Sequence, residues 1–163
     1  QFLPAVEKGV RQVLRGGAIA GYPIQDVRVT VYDGKHHAVD SKEVAFVAAG
    51  KKAFLDAIAQ ARPQVLEPIV DLEVNVPEQH MGDISGGLAS KRARILGTDS
   101  VRGGEIVVKA QVPLSELEGY AAELKSVTAG KGRYRLDFSH YEPVPGNVQQ
   151  RLVEAYKPRH EED

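Results

Sequence analysis

The feature that most constrains this chain is the order in which its apolar spacing changes between residues 67 and 141. Val70, Leu72, Val74 and Val76 alternate with Asp71, Glu73 and Asn75, the period of a strand with one buried face. Pro77-Glu78 then opens a helical stretch in which Met81, Ile84 and Leu88 share a side, weakened by Gly82, Gly86 and Gly87. Two extended runs follow, residues 94–101 and 104–112, joined by a turn at Arg102-Gly103-Gly104, with Ile106, Val108, Ala110 and Val112 pointing inward. Pro113 precedes a second helix with Leu114, Leu117, Ala121 and Leu124 at core spacing, and a last strand holds Tyr134, Leu136 and Phe138. Strand, helix, strand, strand, helix, strand is the split β-α-β order, which implies an antiparallel four-stranded sheet covered by two helices.

The residues before this region read differently. Residues 4–15 place Val6, Val10, Val13 and Leu14 at helical spacing, with Pro4 at the start and Gly16-Gly17 past the end. Residues 27–32 alternate, with Val27, Val29 and Val31 on one face, and predict a half-buried strand. A polar turn leads to Asp40, which with Glu43 resembles a capping box. The helix it opens runs to about Ala61, with Val47, Phe54, Ile58 and Ala61 on one side and Lys51, Lys52, Asp56 and Gln60 toward water. Pro63 stops it, and Pro68 marks a bend and a domain boundary. A final helix over residues 145–156 presents Val148, Leu152 and Tyr156 before an acidic tail, Glu161-Glu162-Asp163. The expected class is therefore α+β: a helix-strand-helix stretch over residues 1–66, a ferredoxin-like βαββαβ domain over 67–143, and a C-terminal helix and tail over 144–163.

Composition removes several function classes. The chain of 163 residues has no cysteine, which excludes disulfides, thiolate catalysis and cysteine-ligated zinc and fits a reducing cytoplasm. It has no apolar run near the length of a membrane span and no signal-peptide layout, so no membrane partner is expected. Net charge is −1, which gives no global footprint for nucleic acid, so any RNA contact has to be local and no DNA partner is expected. The first residues, Gln1-Phe2-Leu3-Pro4, read as the interior of a longer polypeptide.

No phosphate-binding loop precedes Gly50-Lys51-Lys52, so GTP hydrolysis by this chain is not expected, and no serine has a nucleophile-elbow context. His36-His37, flanked by Asp33 and Asp40, does not make a metal site, because adjacent histidines on an extended turn point apart. By its residues alone that turn is either a solvated loop tip or an RNA-reading one. Lys91-Arg92-Ala93-Arg94 is a short basic patch at a helix end, open to the same two readings: a solvated face, or donors to phosphate oxygens. Arg133 and Arg135 on the last strand share that ambiguity.

Several motifs, in order, resemble the C-terminal domains IV and V of elongation factor G. They are Leu3-Pro4-Ala5-Val6-Glu7-Lys8-Gly9, Ala20-Gly21-Tyr22-Pro23, Val39-Asp40-Ser41, Ala45-Phe46 and Leu66-Glu67-Pro68-Ile69. Met81-Gly82-Asp83, Val112-Pro113-Leu114-Ser115-Glu116, Gly119-Tyr120-Ala121 and His140-Tyr141-Glu142-Pro143-Val144-Pro145 continue the run. The resemblance covers all but the tail. It implies a truncated domain IV with a ribosomal-protein-S5-like fold and a left-handed β-α-β crossover, then a ferredoxin-like domain V, in a cytoplasmic factor whose GTP and Mg sit on a domain outside this chain.

The same resemblance implies a ribosomal partner. The domain IV tip, residues 34–41, would reach the decoding region of the small subunit during translocation, with His37 at the position of the family's tip histidine and His36, Lys35, Gly34, Asp40 and Ser41 around it. Lys91, Arg92 and Arg94 would face the sarcin-ricin loop and stalk base of the large subunit. No catalytic residue, metal or cofactor is expected within the chain itself. Family members usually carry Gly-Asp-Leu and Arg-Arg-Gly where this sequence has Gly86-Gly87-Leu88 and Lys91-Arg92-Ala93. They usually place a tyrosine at His36 and often an acidic residue at Ala38. Those departures suggest an alternative, an elongation-factor-G-like paralogue in ribosome recycling, protection or regulation. A further alternative is a stand-alone ferredoxin-like module that binds a ligand or protein. An unpaired sheet edge at residues 27–32 would also invite self-association.

Overall fold

The strand with the longest strict alternation becomes the hub of the sheet. The computed structural model describes residues 2–36 and 42–157. Its helices are α1 (Leu3–Gly16), α2 (Glu43–Gln60), α3 (Met81–Ala89), α4 (Tyr120–Val127) and α5 (Gly146–Ala155), and its strands are β1 (Leu66–Pro77), β2 (Arg94–Val101), β3 (Glu105–Pro113) and β4 (Arg133–Pro143). The strand order is β2-β3-β1-β4, all antiparallel. This is the ferredoxin-like arrangement that the spacing predicts, and it lies wholly in the compact unit Leu66–Pro143.

Period-2 alternation turns Val70, Leu72, Val74 and Val76 to one face, where each is 2% exposed or less. They pack with Ile106, Val108, Ala110 and Val112 from β3 under Ile84 and Leu88 of α3 and Tyr120 and Leu124 of α4. Each such side chain stabilises the fold by roughly 1.5–3 kcal/mol relative to exposure. Pro68, which has no N–H for the ladder, lies at the start of β1 opposite Tyr141, beside a bulge between Ile69 and Val70. β4 is an edge strand, so Leu136 and Phe138 reach past the helical layer and remain largely exposed.

Two helical phases differ from the spacing. A short 3-10 turn, Glu78–His80, precedes α3, and its tighter winding rotates Met81 out to 45% exposure while Ile84 and Leu88 stay buried. Residues Leu114–Leu117 form another such turn, and Gly119 takes φ 73, a left-handed conformation that glycine adopts without penalty. The continuous second helix is thus broken, and Tyr120 takes the core place expected of Ala121.

The other compact unit comprises Gln1–Val65 and Val144–Asp163. Its core is Val10 and Val13 of α1 against Phe54 and Ile58 of α2. The two helices cross at glycines. A Cβ at Gly9 would stand 2.1 Å from the Val47 carbonyl oxygen, and one at Gly50 would stand 2.5 Å from the Val6 carbonyl oxygen. Gln149 of α5 fixes the chain after α2, donating from Nε2 to the Pro63 carbonyl at 3.1 Å and accepting the Val65 N–H at 3.0 Å.

The strand expected at residues 27–32 is absent, which corrects the sequence reading. Val27, Val29 and Val31 are 42–51% exposed and the segment has no ladder. A strand needs a neighbour to take its N–H and C=O groups, and the described residues of this unit supply none. Ala61, expected on the buried side of α2, is exposed just past the helix end. α2 begins at Glu43 with no side-chain cap from Lys42, and the proposed capping residue Asp40 lies outside the described residues.

Replacing Gly9 with Ala should destabilise the unit containing α1 and α2 by about 1–3 kcal/mol, because the obstacle is backbone and cannot rotate away. Chemical denaturation of the variant measures it, with Gly16→Ala as the control, since a Cβ there meets nothing within 4 Å.

Candidate nucleic-acid interface

A cation contacts nucleic acid only if its charge is not already committed, so the internal partners of each candidate decide its role. At the tip, Gly34 donates its N–H to the Asp33 carboxylate at 2.8 Å, and residues 34–36 are exposed. Lys35 has no ion pair among the described residues. The His36 ring lies 6.4 Å from Phe2, which itself stacks on Phe46 at 4.1 Å and 4°. This aromatic step ties His36 to the start of α1 and to α2. His37, Asp40 and Ser41 lie outside the described residues.

The second patch is held differently. Arg92 has φ 56 and grips Glu67 with both terminal nitrogens, at 2.7 and 3.0 Å, while its Nε donates to Glu116 at 2.9 Å. Glu67 is 8% exposed, so its carboxylate depends on this fork. The Glu67 hydrogen bond holds Arg92 above its ordinary pKa, burial pulls the other way, and Glu116 adds to the rise. Lys91 pairs with Glu123 at 2.9 Å and sits 5.9 Å over the Tyr120 ring. Arg94 donates to the neutral amide oxygen of Gln111, whose own amide donates to Asp71 at 3.0 Å. Lys91 and Arg92 are therefore committed to internal carboxylates, and Arg94 is not.

The uncovered sheet face continues this pattern. Lys109 pairs with Asp99 at 3.0 Å, Arg135 with Glu73 at 2.8 Å and Arg133 with Glu105 at 3.6 Å. The Asp99 and Glu73 hydrogen bonds raise the Lys109 and Arg135 pKa values. At the end of β4, Ser139, His140 and Glu142 form a string, with 2.8 Å to one ring nitrogen and 2.6 Å from the other.

Charge divides along the chain. Residues 66–143 carry nine Lys and Arg against twelve Asp and Glu, whereas residues 1–65 carry nine against six. In that first stretch Arg11 pairs with Glu7 at 2.7 Å, while Lys8 and Arg15 have no ion pair among the described residues. The sequence reading passed over these α1 cations. Their signal was present as Lys8, Arg11 and Arg15 at helical spacing opposite Val6, Val10 and Val13. Among the described residues no group of three His, Cys, Asp or Glu converges, and no helix is long and apolar enough to cross a membrane.

Comparison with known proteins decides the family. The profile described as elongation factor G, domain IV, matches residues 1–62, and that of the elongation factor G C-terminus matches residues 64–152. The chain belongs to the elongation factor G family. It is 46% identical over 153 residues to an elongation factor G of Aquifex pyrophilus, covering 94% of this chain and 22% of that protein. A crystal structure of a protein from Thermus thermophilus matches with a TM-score of 0.74 and 40% identity, over 94% of this chain and 23% of that one. The chain thus spans about a fifth of the length of the relatives it matches, and holds the domain IV and C-terminal portions of a translation elongation factor.

Burial pushes the Tyr120 hydroxyl up to about 12, with Glu123 and Tyr134 adding to it, and the hydroxyl has no hydrogen-bond partner. The unfolded chain releases this proton near pH 10 and the folded chain keeps it longer. Stability should therefore be independent of this group below about pH 10 and fall between 10 and 12. Denaturation of Tyr120→Phe across that range should show a shallower alkaline decline and no loss at neutral pH.

Proposed function

We propose that this chain is the ribosome-facing part of a cytoplasmic translational GTPase, and that it acts by fitting against ribosomal RNA rather than by catalysis. In this reading the tip around residues 34–41 reaches the decoding region of the small subunit during translocation. His37 leads the contact, and His36, Lys35, Gly34, Asp40 and Ser41 shape it. GTP and Mg belong to a domain outside this chain. The observation that carries the reading is the collinear match to the domain IV and C-terminal profiles over residues 1–62 and 64–152. The exposure of residues 34–36 and the excess of cations in residues 1–65 support it.

Lys91, Arg92 and Arg94 are proposed as the face turned to the sarcin-ricin loop and stalk base of the large subunit. Arg94, held by a neutral amide, is the phosphate donor of that face. Lys91 and Arg92 keep its shape through Glu123, Glu67 and Glu116. Replacing His37 with Ala in the polypeptide carrying this chain should slow translocation about 10-fold or more while ribosome-stimulated GTP hydrolysis stays within about 2-fold. Unchanged translocation would remove the tip assignment.

A second reading, a paralogue in recycling, protection or regulation, is favoured by one detail. A Cβ at Gly87 would stand 3.7 Å from the Glu123 carboxylate that holds Lys91. The aspartate common in the family at this place would set two carboxylates against each other, and here Glu123 alone takes the lysine. Complementation of cells lacking their main translocation factor separates the readings: failure to rescue favours the paralogue, and full rescue favours the translocase.

A further inference from the structure

Helix α1 carries a surface that neither the tip nor the Lys91 patch explains. Its buried side is Ala5, Gly9, Val10 and Val13, and its opposite side forms a shallow depression lined by Pro4, Glu7, Lys8, Arg11, Gln12 and Arg15. Three cations face one anion there. Glu7 is held by Arg11, whose Nε and Nη2 both reach the same carboxylate oxygen, at 2.8 and 2.7 Å. Lys8 and Arg15 are exposed and have no ion pair among the described residues.

The ordinary explanation covers only part of this. Arg15 in the last turn complements the helix dipole, and Glu7 to Arg11 is a stabilising i,i+4 pair. Neither account explains why Lys8, mid-helix, has no acidic residue three or four positions away, or why the face keeps an excess of positive charge in a chain whose net charge is −1. In the Leu66–Pro143 unit Lys91, Arg92, Lys109, Arg133 and Arg135 are ion-paired, and Arg94, Arg102, Lys125 and Lys131 have no ion pair among the described residues. Lys8 to Arg15 rises about 10 Å along the helix, near three phosphate-to-phosphate steps of about 3.4 Å on one strand of a B-form duplex.

We propose that the exposed face of α1 is a second RNA-backbone contact, in which Lys8, Arg11 and Arg15 bind consecutive phosphates and Gln12 donates to the sugar-phosphate edge. This rests on the ribosome-binding reading above and adds a surface to it. Such a contact carries no sequence information, and it fixes orientation and contributes salt-sensitive affinity. Cooperation with the tip lets each contact be weak alone.

The test measures binding of the whole polypeptide carrying this chain to ribosomes and to purified ribosomal RNA across a salt series. It compares wild type with Lys8→Gln/Arg11→Gln/Arg15→Gln, and with Lys8→Gln alone. Glutamine keeps helix propensity, so circular dichroism should be unchanged. Arg102→Gln/Lys131→Gln, which removes unpaired charge from the other unit, serves as the charge control.

The expected result is a loss of about 10-fold or more at low salt for the triple variant. The slope of log K against log salt should shrink by about 2–3, and by about 1 for Lys8→Gln, on both ribosomes and RNA, with little change in the control. Wild-type binding with an unchanged triple variant overturns this inference and leaves the ribosome reading standing. Weakened binding to ribosomes with unchanged binding to RNA makes the partner an acidic protein surface and overturns the RNA assignment. Absence of wild-type binding overturns both.

Discussion

What governs this molecule is whether a positive charge is neutralised from within. In the Leu66–Pro143 unit the carboxylates outnumber the cations, and antiparallel pairing sets opposite charges beside one another across strands, as Glu73 and Arg135 sit in register on β1 and β4. Glu67, nearly buried, is stabilised by the two-pronged Arg92 contact. Such a surface meets a polyanion with little electrostatic gain, because a phosphate would have to displace a carboxylate already in place. It is suited to recognition by shape. In residues 1–65 the same number of cations faces half as many acids, and those of α1 point to water.

That division follows from how each unit is packed. The sheet buries one face under α3 and α4 and leaves the other lined with ion pairs, each strand hydrogen-bonded to a neighbour. The helix pair instead crosses at Gly9 and Gly50, so its backbones meet without intervening side chains and the core between them is small. Close crossing turns the charged sides of both helices outward, and the stacked Phe2 and Phe46 rings carry the base of the tip along with them.

The fold of the sheet was readable because alternation on β1 and β3 states which face is buried, and burial there agrees residue by residue from Val70 to Val76 and from Ile106 to Val112. The phases of Met81 and Ala121 were not readable, because 3-10 turns and the left-handed Gly119 rotate a helix without changing its composition. Residues 27–32 have the pattern of a strand, but pattern supplies no partner for backbone hydrogen bonds. The commitments of Lys91 and Arg92 were equally hidden: Arg92 and Glu67 are 25 positions apart, and the turn between α3 and β2 brings them together only in the folded unit. The α1 cations were visible as spacing and were outweighed by the louder motifs of the tip.

Cross-linking of the polypeptide to ribosomes, followed by mapping of the RNA-adducted peptides, tests most directly whether available charge decides where RNA binds. Adducts concentrated within residues 2–62, with Arg94 the main adduct site of the other unit, are the predicted result. Adducts centred on Lys91 and Arg92, with residues 2–62 unmodified, would contradict it.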